Sequence, residues 1–275
     1  MEGKAVLDDV VELLACPHCG GDLGRDGGAL RCPSNHAFDF ARQGYVSLLS
    51  GRSKVVGDTA EMVAARAGFL EAGHYDPIAD AVADAVTGDG PVVDIGAGTG
   101  FYLNRALGER LGVALDVSKY ACRRAAKVHP RIGAAVADAW QPLPIRTGAA
   151  GTVLNVFAPR NAPEMRRALR PGGELVVVTP EPGHLTGLVD RLGLLHVDES
   201  KQDRLADRLA GHFTPVDQRA VEFRLHLTRD EARAAIAMGP NAWHTTPEAL
   251  DAAIAELPAP LVPAVAVTVA RYRRV

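Results

Sequence analysis

The chain has 275 residues, of which 47% are hydrophobic and 23% charged, a balance typical of a soluble globular protein rather than a disordered one. Its formal net charge is −3, so nucleic acid can be contacted only through local basic patches. The first ten residues lack a basic segment followed by an apolar one, and no apolar stretch approaches the length of a membrane span. These features predict a cytoplasmic protein without a membrane anchor.

Three of the four cysteines lie within the first 32 residues, and a histidine follows them closely. The spacing is C-x2-C-x12-C-x3-H, formed by Cys16, Cys19, Cys32 and His36. Two ligands on a tight turn and two across a hairpin are typical of a closed, structural Cys3His zinc site. A disulfide is the alternative, but the odd number of clustered cysteines and a cytoplasmic location disfavour it. We therefore expect one Zn²⁺ per chain in a module of residues 1–50.

A linker and two helices are predicted for residues 51–88. The first helix is expected to begin at Asp58, because Asp58 and Glu61 have the spacing of a capping box. The second helix is expected over residues 77–86. This segment leads into the core of the chain.

From residue 89 onward strands and helices alternate, which predicts an α/β domain of residues 89–275 with a parallel, doubly wound sheet. The predicted strands are residues 92–95, 111–115, 134–137, 152–156 and 174–179. The helices between them are residues 101–109, 119–128 and 163–169. Near the end, residues 219–227 and 264–273 alternate like antiparallel strands, with a helix over 229–238.

A glycine-rich loop follows the first strand of this domain. It reads D-x-G-x-G-x-G, with Asp94, Gly96, Gly98 and Gly100. A dinucleotide fingerprint would require a glycine at position 101, which is phenylalanine. Asp94 suits a ligand that carries an ammonium group better than a pyrophosphate. The pattern favours S-adenosylmethionine (SAM) and predicts a Rossmann-like, class I SAM-dependent methyltransferase domain.

Further acidic residues follow the next two strands. Asp116 could accept hydrogen bonds from both ribose hydroxyls, and Asp138, followed by Ala139, could accept one from the adenine amino group. Helix capping is the alternative for either aspartate, but it would not explain both. We expect the three carboxylates to converge on one crevice at the carboxyl ends of the strands.

The residues after the fourth strand are candidates for contact with a methyl acceptor. Asn155 is the first candidate for a catalytic role, Phe157 could stack on a base, and Arg160 could hold a phosphate or polarise a carbonyl oxygen. A strand-end cap, a core residue and a solvated charge are the respective alternatives. Asp58 is a further candidate base, although the N-cap interpretation is stronger.

Two further pairs of aromatic-ring residues are candidates for the pocket, one before this domain and one within it. His74 and Tyr75 could close over the methionine moiety of the cofactor or simply pack, and Trp243 and His244 could line the pocket or be buried. Basic stretches without acids occur at residues 41–57 and 117–137, where phosphates could be contacted.

The sequence resembles the 23S rRNA guanine-N1 methyltransferases over nearly its whole length. The matching phrases are CPHC at 16–19, HAFD at 36–39, QGYVSLL at 43–49, AGHY at 72–75, DIG at 94–96, NVFAPR at 155–160, TP at 179–180 and MGPNAWH at 238–244. The NVFAPR and MGPNAWH motifs most resemble those of the branch that confers tylosin-type macrolide resistance.

The resemblance implies methylation of one guanine in a hairpin loop of 23S rRNA, a zinc module that helps to grip RNA, and homodimers. Naked RNA and a ribosomal particle both remain open as the substrate. Two rival functions also remain: a methyltransferase acting on a small molecule, and a non-catalytic RNA-binding protein that holds SAM and zinc.

Overall fold

The N-terminal residues form a small ribbon. The computed structural model describes residues 7–51, 53–189, 192, 207–239, 246–257 and 260–275. After a short helix, α1 (Leu7–Val10), strands β1 (Gly24–Asp26) and β2 (Ala29–Arg31) form a hairpin, and β3 (Ala37–Asp39) pairs with β2. Gly27 turns the hairpin at a φ of 57°, a conformation that glycine adopts without strain.

The core of the chain is an eight-stranded sheet with the order β10-β11-β9-β8-β5-β6-β7-β4. The strands are β4 (Tyr45–Ser47), β5 (Val92–Ile95), β6 (Gly112–Asp116), β7 (Ile132–Val136), β8 (Ala150–Val156), β9 (Leu169–Pro180), β10 (Phe213–Arg224) and β11 (Ala264–Arg274). The strands from β9 to β4 are parallel, whereas β11 is antiparallel to both β9 and β10. The strand order reverses at β5, and ligands of such sheets bind beyond the carboxyl ends at this point. The predicted doubly wound sheet is therefore confirmed.

Helices cover both faces of the sheet. They are α2 (Ala60–Glu71), α3 (Asp76–Ala85), α4 (Phe101–Ala106), α5 (Lys119–Val128), α6 (Ala162–Ala168), α7 (Arg229–Ala237) and α8 (Pro247–Ala255). Strands β5, β7 and β8 are buried along their whole length, as is usual for parallel strands between two helical layers. No helix in the described ranges has the length and apolar character that a membrane span requires.

Several predicted boundaries are wrong. Thr59, not Asp58, caps α2: its hydroxyl accepts the N–H of Met62 at 3.3 Å, while the Asp58 carboxylate pairs with Arg66 instead. Strand β9 begins at Leu169 rather than at residue 174, because Leu169 already pairs with Ala150 of β8. Strand β10 covers Phe213–Arg224 rather than 219–227, because its register is set by pairing with β11 along its length. The strand pairings are long-range and could not be predicted from local patterns, whereas the Thr59 cap is a local contact that the choice of Asp58 overlooked.

The ribbon and the core sheet are joined by more than a linker. Strand β4 pairs in parallel with β7 and forms the edge of the core sheet, although it lies inside the predicted 1–50 module. A Cβ at Gly133 of β7 would collide with the side chain of Val10 in α1, so this helix sits directly on the sheet. Leu14, Leu30 and Phe38 of the ribbon belong to the same apolar cluster as the sheet. The exact domain limits stay a prediction.

Candidate active site and zinc centre

The four predicted metal ligands lie together at one end of the ribbon. Cys19 Sγ is 3.6 Å from Cys32 Sγ, and His36 Nδ1 is 3.5 Å from Cys16 Sγ and 3.3 Å from Cys32 Sγ. All four ligand atoms lie within 4.8 Å of one another. A tetrahedral zinc ion, with bonds of about 2.3 Å to sulfur and about 2.0 Å to nitrogen, holds its ligand atoms about 3.5 Å apart. The cluster fits this geometry, and its sulfurs are too far apart for a disulfide.

The surroundings of Cys19 favour the thiolate that a metal requires, whereas burial raises the pKa of the Cys16 thiol. The N–H of Gly21, and after it the hydroxyl of Ser34, lower the pKa of Cys19 to about 6. Cys16 and Cys32 are buried in the apolar cluster that the ribbon shares with the sheet. Four protein ligands leave no coordination position for a substrate, so a metal here is structural. Cys122 lies elsewhere, buried in α5.

The glycine loop joins β5 to α4, and each of its three glycines has a left-handed backbone. The φ values are 76° at Gly96, 55° at Gly98 and 81° at Gly100. At Gly96 a Cβ would lie 2.5 Å from the Cβ of Ala158, so this glycine lets the loop after β8 pack against the loop after β5. At Gly98 the space toward the cavity is open apart from the Arg66 side chain, so a ligand can approach the backbone here.

Asp94 is the most unusual polar residue of the site. It is only 1% exposed, and neither carboxylate oxygen has a hydrogen-bond partner within the described part of the chain. Burial, and secondarily the charge of Asp116, raise the pKa of Asp94 to about 8. A buried carboxylate without a partner is unfavourable, and a cationic ligand in the adjoining cavity would relieve it. The ammonium and sulfonium groups of SAM fit this requirement.

Asp116 ends β6 and Asp138 follows β7 by two residues, and both line the same cavity as Asp94. Asp116 accepts the N–H groups of Gly98 at 2.9 Å and Ser118 at 2.8 Å, so it holds the glycine loop in place. Each carboxylate oxygen can accept a further hydrogen bond, which leaves capacity for ribose hydroxyls. Asp138 accepts the Ser53 hydroxyl at 2.9 Å and the Trp140 N–H at 2.9 Å. The predicted convergence of three carboxylates is present.

The cavity has a volume of about 840 Å³ and lies beyond the carboxyl ends of β5, β6, β7 and β8. Two groups of lining residues stand out. The carboxylates and the glycine loop are called the carboxylate side. The aromatic side is a cluster with ring centres 5.9 to 6.4 Å apart between neighbours, made of Tyr75, Tyr102, Phe157 and His184. A cavity with a carboxylate side and an aromatic side can hold a cationic cofactor next to a planar ring.

Asn155 does not line this cavity. Its side chain is fully buried, and its amide donates to the carbonyl of Pro159 at 2.9 Å, which braces the loop after β8. Phe157 in that loop is 39% exposed and has a φ of 54°, a strained conformation for a residue with a side chain. Arg160 lines the cavity, and its Nε is buried without a hydrogen-bond partner among the described residues. Burial lowers the pKa of Arg160.

Of the remaining predicted residues, some line the cavity and others do not. Tyr75 and Asp58 line the cavity, but Asp58 forms an ion pair of 2.5 Å with Arg66. His74 instead pairs with Glu231 of α7 at 3.0 Å and is mostly buried there, which matches its packing alternative. Trp243 and His244 fall outside the described residues.

Sequence reasoning missed several residues of the cavity wall, among them Arg66, Trp140 and His184. Spacing could not have predicted the ion pair of Arg66 with Asp58, because Asp58 precedes α2 and residues eight apart on a helix are about 12 Å apart, beyond the reach of an i,i+4 pair. Trp140 stands two positions after Asp138, where an exposed aromatic residue could have been noted. His184 has no local signal, because only the fold brings it to Tyr75.

Comparisons with known proteins agree with this geometry. The zinc-ribbon family model described as "RlmA, N-terminal" matches residues 14–55. The 23S rRNA (guanine(748)-N(1))-methyltransferase of Streptomyces fradiae is 51% identical over 259 residues, which cover 91% of this chain and 92% of that protein. A protein of Micromonospora griseorubida, provisionally named as a 23S rRNA (guanine-N(1)-)-methyltransferase, is 51% identical over 96% of this chain and 98% of its own.

A solved structure from Bacillus halodurans, provisionally described as a methyltransferase, superimposes with a TM-score of 0.52 at 15% identity. It covers 71% of this chain and 97% of that one, and it supports the fold alone. The predicted class I fold with an N-terminal zinc ribbon is confirmed, and so is the resemblance drawn from the sequence motifs. The chain belongs to the 23S rRNA (guanine-N1)-methyltransferase family.

Proposed function

We propose that this protein transfers a methyl group from SAM to N1 of a guanine in a hairpin loop of 23S rRNA, at the position equivalent to 748. The observation that carries the chemistry is the buried, unpaired carboxylate of Asp94 beside an aromatic cavity wall. The name of the Streptomyces fradiae relative supports the choice of RNA, atom and position. Macrolide resistance is the biological consequence that the resemblance suggests.

The residues of the carboxylate side are assigned to the cofactor in this proposal. Asp94 would face the cationic methionine part, Asp116 the ribose, and Asp138 with Ala139 the adenine, while Gly96, Gly98 and Gly100 keep the loop close to the ligand. SAM supplies an electrophilic methyl group on a sulfonium when it is bound. Tyr75 would close the cavity over the methionine part, at the end that carries the transferable methyl group and faces the methyl acceptor. Arg160 is assigned to the RNA, where an unpaired guanidinium can hold a phosphate or the guanine O6.

The decisive experiment is primer extension on 23S rRNA from cells that lack native N1 methylation at this loop. We expect a reverse-transcription stop one nucleotide before the target guanine, because N1 methylation blocks the Watson–Crick edge. The stop should require the gene and an intact Asp94. Methyl incorporation into RNA without a stop would indicate another atom, and incorporation only into a small molecule would support the rival enzyme class.

A basic stripe on α5 supports an RNA substrate. Lys119, Arg123 and Lys127 are exposed, and none of them has an acidic partner within the described ranges. Successive members are four residues, or about 6 Å, apart on one helix face. By contrast, exposed arginines elsewhere, such as Arg105 and Arg233, pair with carboxylates. The stripe begins at Lys119, next to Ser118, whose N–H donates to Asp116 of the cavity wall.

Replacing Lys119, Arg123 and Lys127 together by alanine should weaken binding of the target RNA hairpin without changing SAM affinity. Three lost phosphate contacts should lower the salt dependence, measured as the slope of log K against log salt, by about 2. Filter binding at several salt concentrations measures this slope. The matched control replaces three exposed arginines that are paired with carboxylates, namely Arg105, Arg219 and Arg233. Equal slopes for the two triple variants would contradict the assignment.

The finer expectations drawn from the resemblance belong to the same proposal. The zinc module, predicted as residues 1–50, would help to grip the RNA; the protein would act in the cytoplasm as a homodimer. Sedimentation equilibrium of the zinc-loaded protein tests the dimer, and a single species with the 29.0 kDa mass of one chain would contradict it.

A further inference from the structure

A tyrosine and a histidine form a buried pair on the aromatic side of the cavity. The hydroxyl of Tyr75 lies 3.2 Å from Nε2 of His184, and both residues line the cavity. Tyr75 is 3% exposed. The second ring nitrogen of His184, Nδ1, is buried and has no hydrogen-bond partner within the described part of the chain. Buried polar atoms without partners are rare, so this imidazole calls for an explanation.

The pair lies next to the position where the methyl acceptor is expected. The ring of Phe157 is centred 5.9 Å from that of His184 and 6.4 Å from that of Tyr75. Ala158, the neighbour of Phe157, packs against Gly96 of the glycine loop. A guanine stacked on Phe157 would therefore sit between the glycine loop and the Tyr75–His184 pair.

Methylation of guanine N1 requires the loss of a proton, because N1 carries a hydrogen at neutral pH. We propose that the Tyr75–His184 pair accepts this proton, with the Tyr75 oxygen facing guanine N1 and His184 behind it. This inference rests on the proposed function and adds to it the identity of the proton acceptor.

The transfer balances in atoms and electrons. The N1 electron pair forms the new bond to the methyl carbon, and the bond between that carbon and the cofactor sulfur breaks with its electron pair remaining on sulfur. The N1 proton passes to the Tyr75 oxygen, while the hydroxyl proton of Tyr75 passes to Nε2 of His184. The resulting imidazolium releases a proton to water after the product leaves, which restores the resting pair.

Other groups around the cavity are less suited to this step. Asp58 is neutralised by Arg66 at 2.5 Å, and Asp116 accepts two backbone N–H groups. Asp94 lies at the end of β5 on the carboxylate side, where it faces the cofactor. Burial lowers the pKa of His184 to about 4, so the imidazole is neutral at pH 7. Such a weak base receives the proton only as the methyl group is transferred, because a guanine that gains a methyl group at N1 while still carrying its hydrogen is a far stronger acid than guanine itself.

The test compares His184→Gln and Tyr75→Phe with the unchanged protein, each zinc-loaded and full length. Glutamine keeps hydrogen-bonding capacity but cannot accept a proton. We expect single-turnover methylation at pH 7 to fall by about 10²-fold or more in His184→Gln, with affinities for SAM and for the RNA hairpin changed by less than about twofold. The double variant should be no slower than the slower single variant, because the two residues act as one unit.

Two readouts separate proton transfer from a structural role. The loss in His184→Gln should shrink in mildly alkaline solution, where guanine N1 loses its proton unaided, and added imidazole should partly rescue His184→Ala. In cofactor-free protein with ¹⁵N-labelled histidine, the target hairpin should shift the ring resonances of His184, and Tyr75→Phe should abolish this shift. If the loss of methylation activity is equal at every pH and is not rescued by imidazole, the proton-transfer proposal is overturned. The proposed function still stands in that case, provided that the unchanged protein produces the N1 stop. Absence of the N1 stop with the unchanged protein would overturn both proposals.

Discussion

Asp94→Asn is expected to abolish SAM binding and at the same time to stabilise the cofactor-free protein. The carboxylate is 1% exposed and unpaired, so its charge is costly until a cationic ligand faces it. Asparagine keeps the shape but removes the attraction, and we expect at least about 100-fold weaker SAM binding, since a buried charged contact contributes roughly 3 kcal/mol. Isothermal titration calorimetry measures the affinity.

The stability of the cofactor-free protein should change in a definite direction with pH. The pKa of Asp94 is raised to about 8 in the folded state, above its ordinary value near 4. Between these values the folded protein holds a proton that the unfolded chain has lost, so rising pH destabilises it, by roughly 5 kcal/mol at most. The unfolding temperature of the Asp94→Asn variant should not show this pH dependence. It should exceed the unfolding temperature of the unchanged protein by the largest margin at pH 8. Identical pH profiles would contradict the assignment.

Cys32→Ser should remove zinc and unfold the ribbon. Structural zinc contributes on the order of 10 kcal/mol to such small modules, and a serine hydroxyl is a poor ligand. Because Cys32 and Leu30 share an apolar cluster with the core sheet, the effect should extend beyond the ribbon and lower the unfolding temperature of the whole chain. Metal analysis and calorimetric unfolding measure the two effects.

The matched control for this change is Cys122→Ser, which alters a buried cysteine of α5 far from the cluster in sequence and outside the ligand set. It should keep one zinc per chain. RNA methylation should be lost in Cys32→Ser, whereas SAM affinity should be largely kept, because the carboxylate side of the cavity is built on β5, β6 and β7. A Cys32→Ser protein that retains zinc and a folded ribbon would refute the ligand assignment.

Short sequence patterns were enough to predict the features that depend only on residues close together in the chain. The zinc ligands are recognised by their spacing, because a knuckle and a hairpin place four such residues at tetrahedral distances. Strand β5 and its glycine loop are recognised because a short apolar run followed by D-x-G-x-G-x-G contains both the buried strand and the left-handed turns. The three carboxylates were predicted to meet because parallel strands end at one edge.

Only the tertiary structure decided features that depend on distant partners. In the fold β4 pairs with β7, and β9 extends back to Leu169. The amide of Asn155 donates to the carbonyl of Pro159. His184 reaches Tyr75 across 109 residues of sequence. No periodicity or motif encodes such a contact, because it arises from the packing of two loops at the same edge of the sheet.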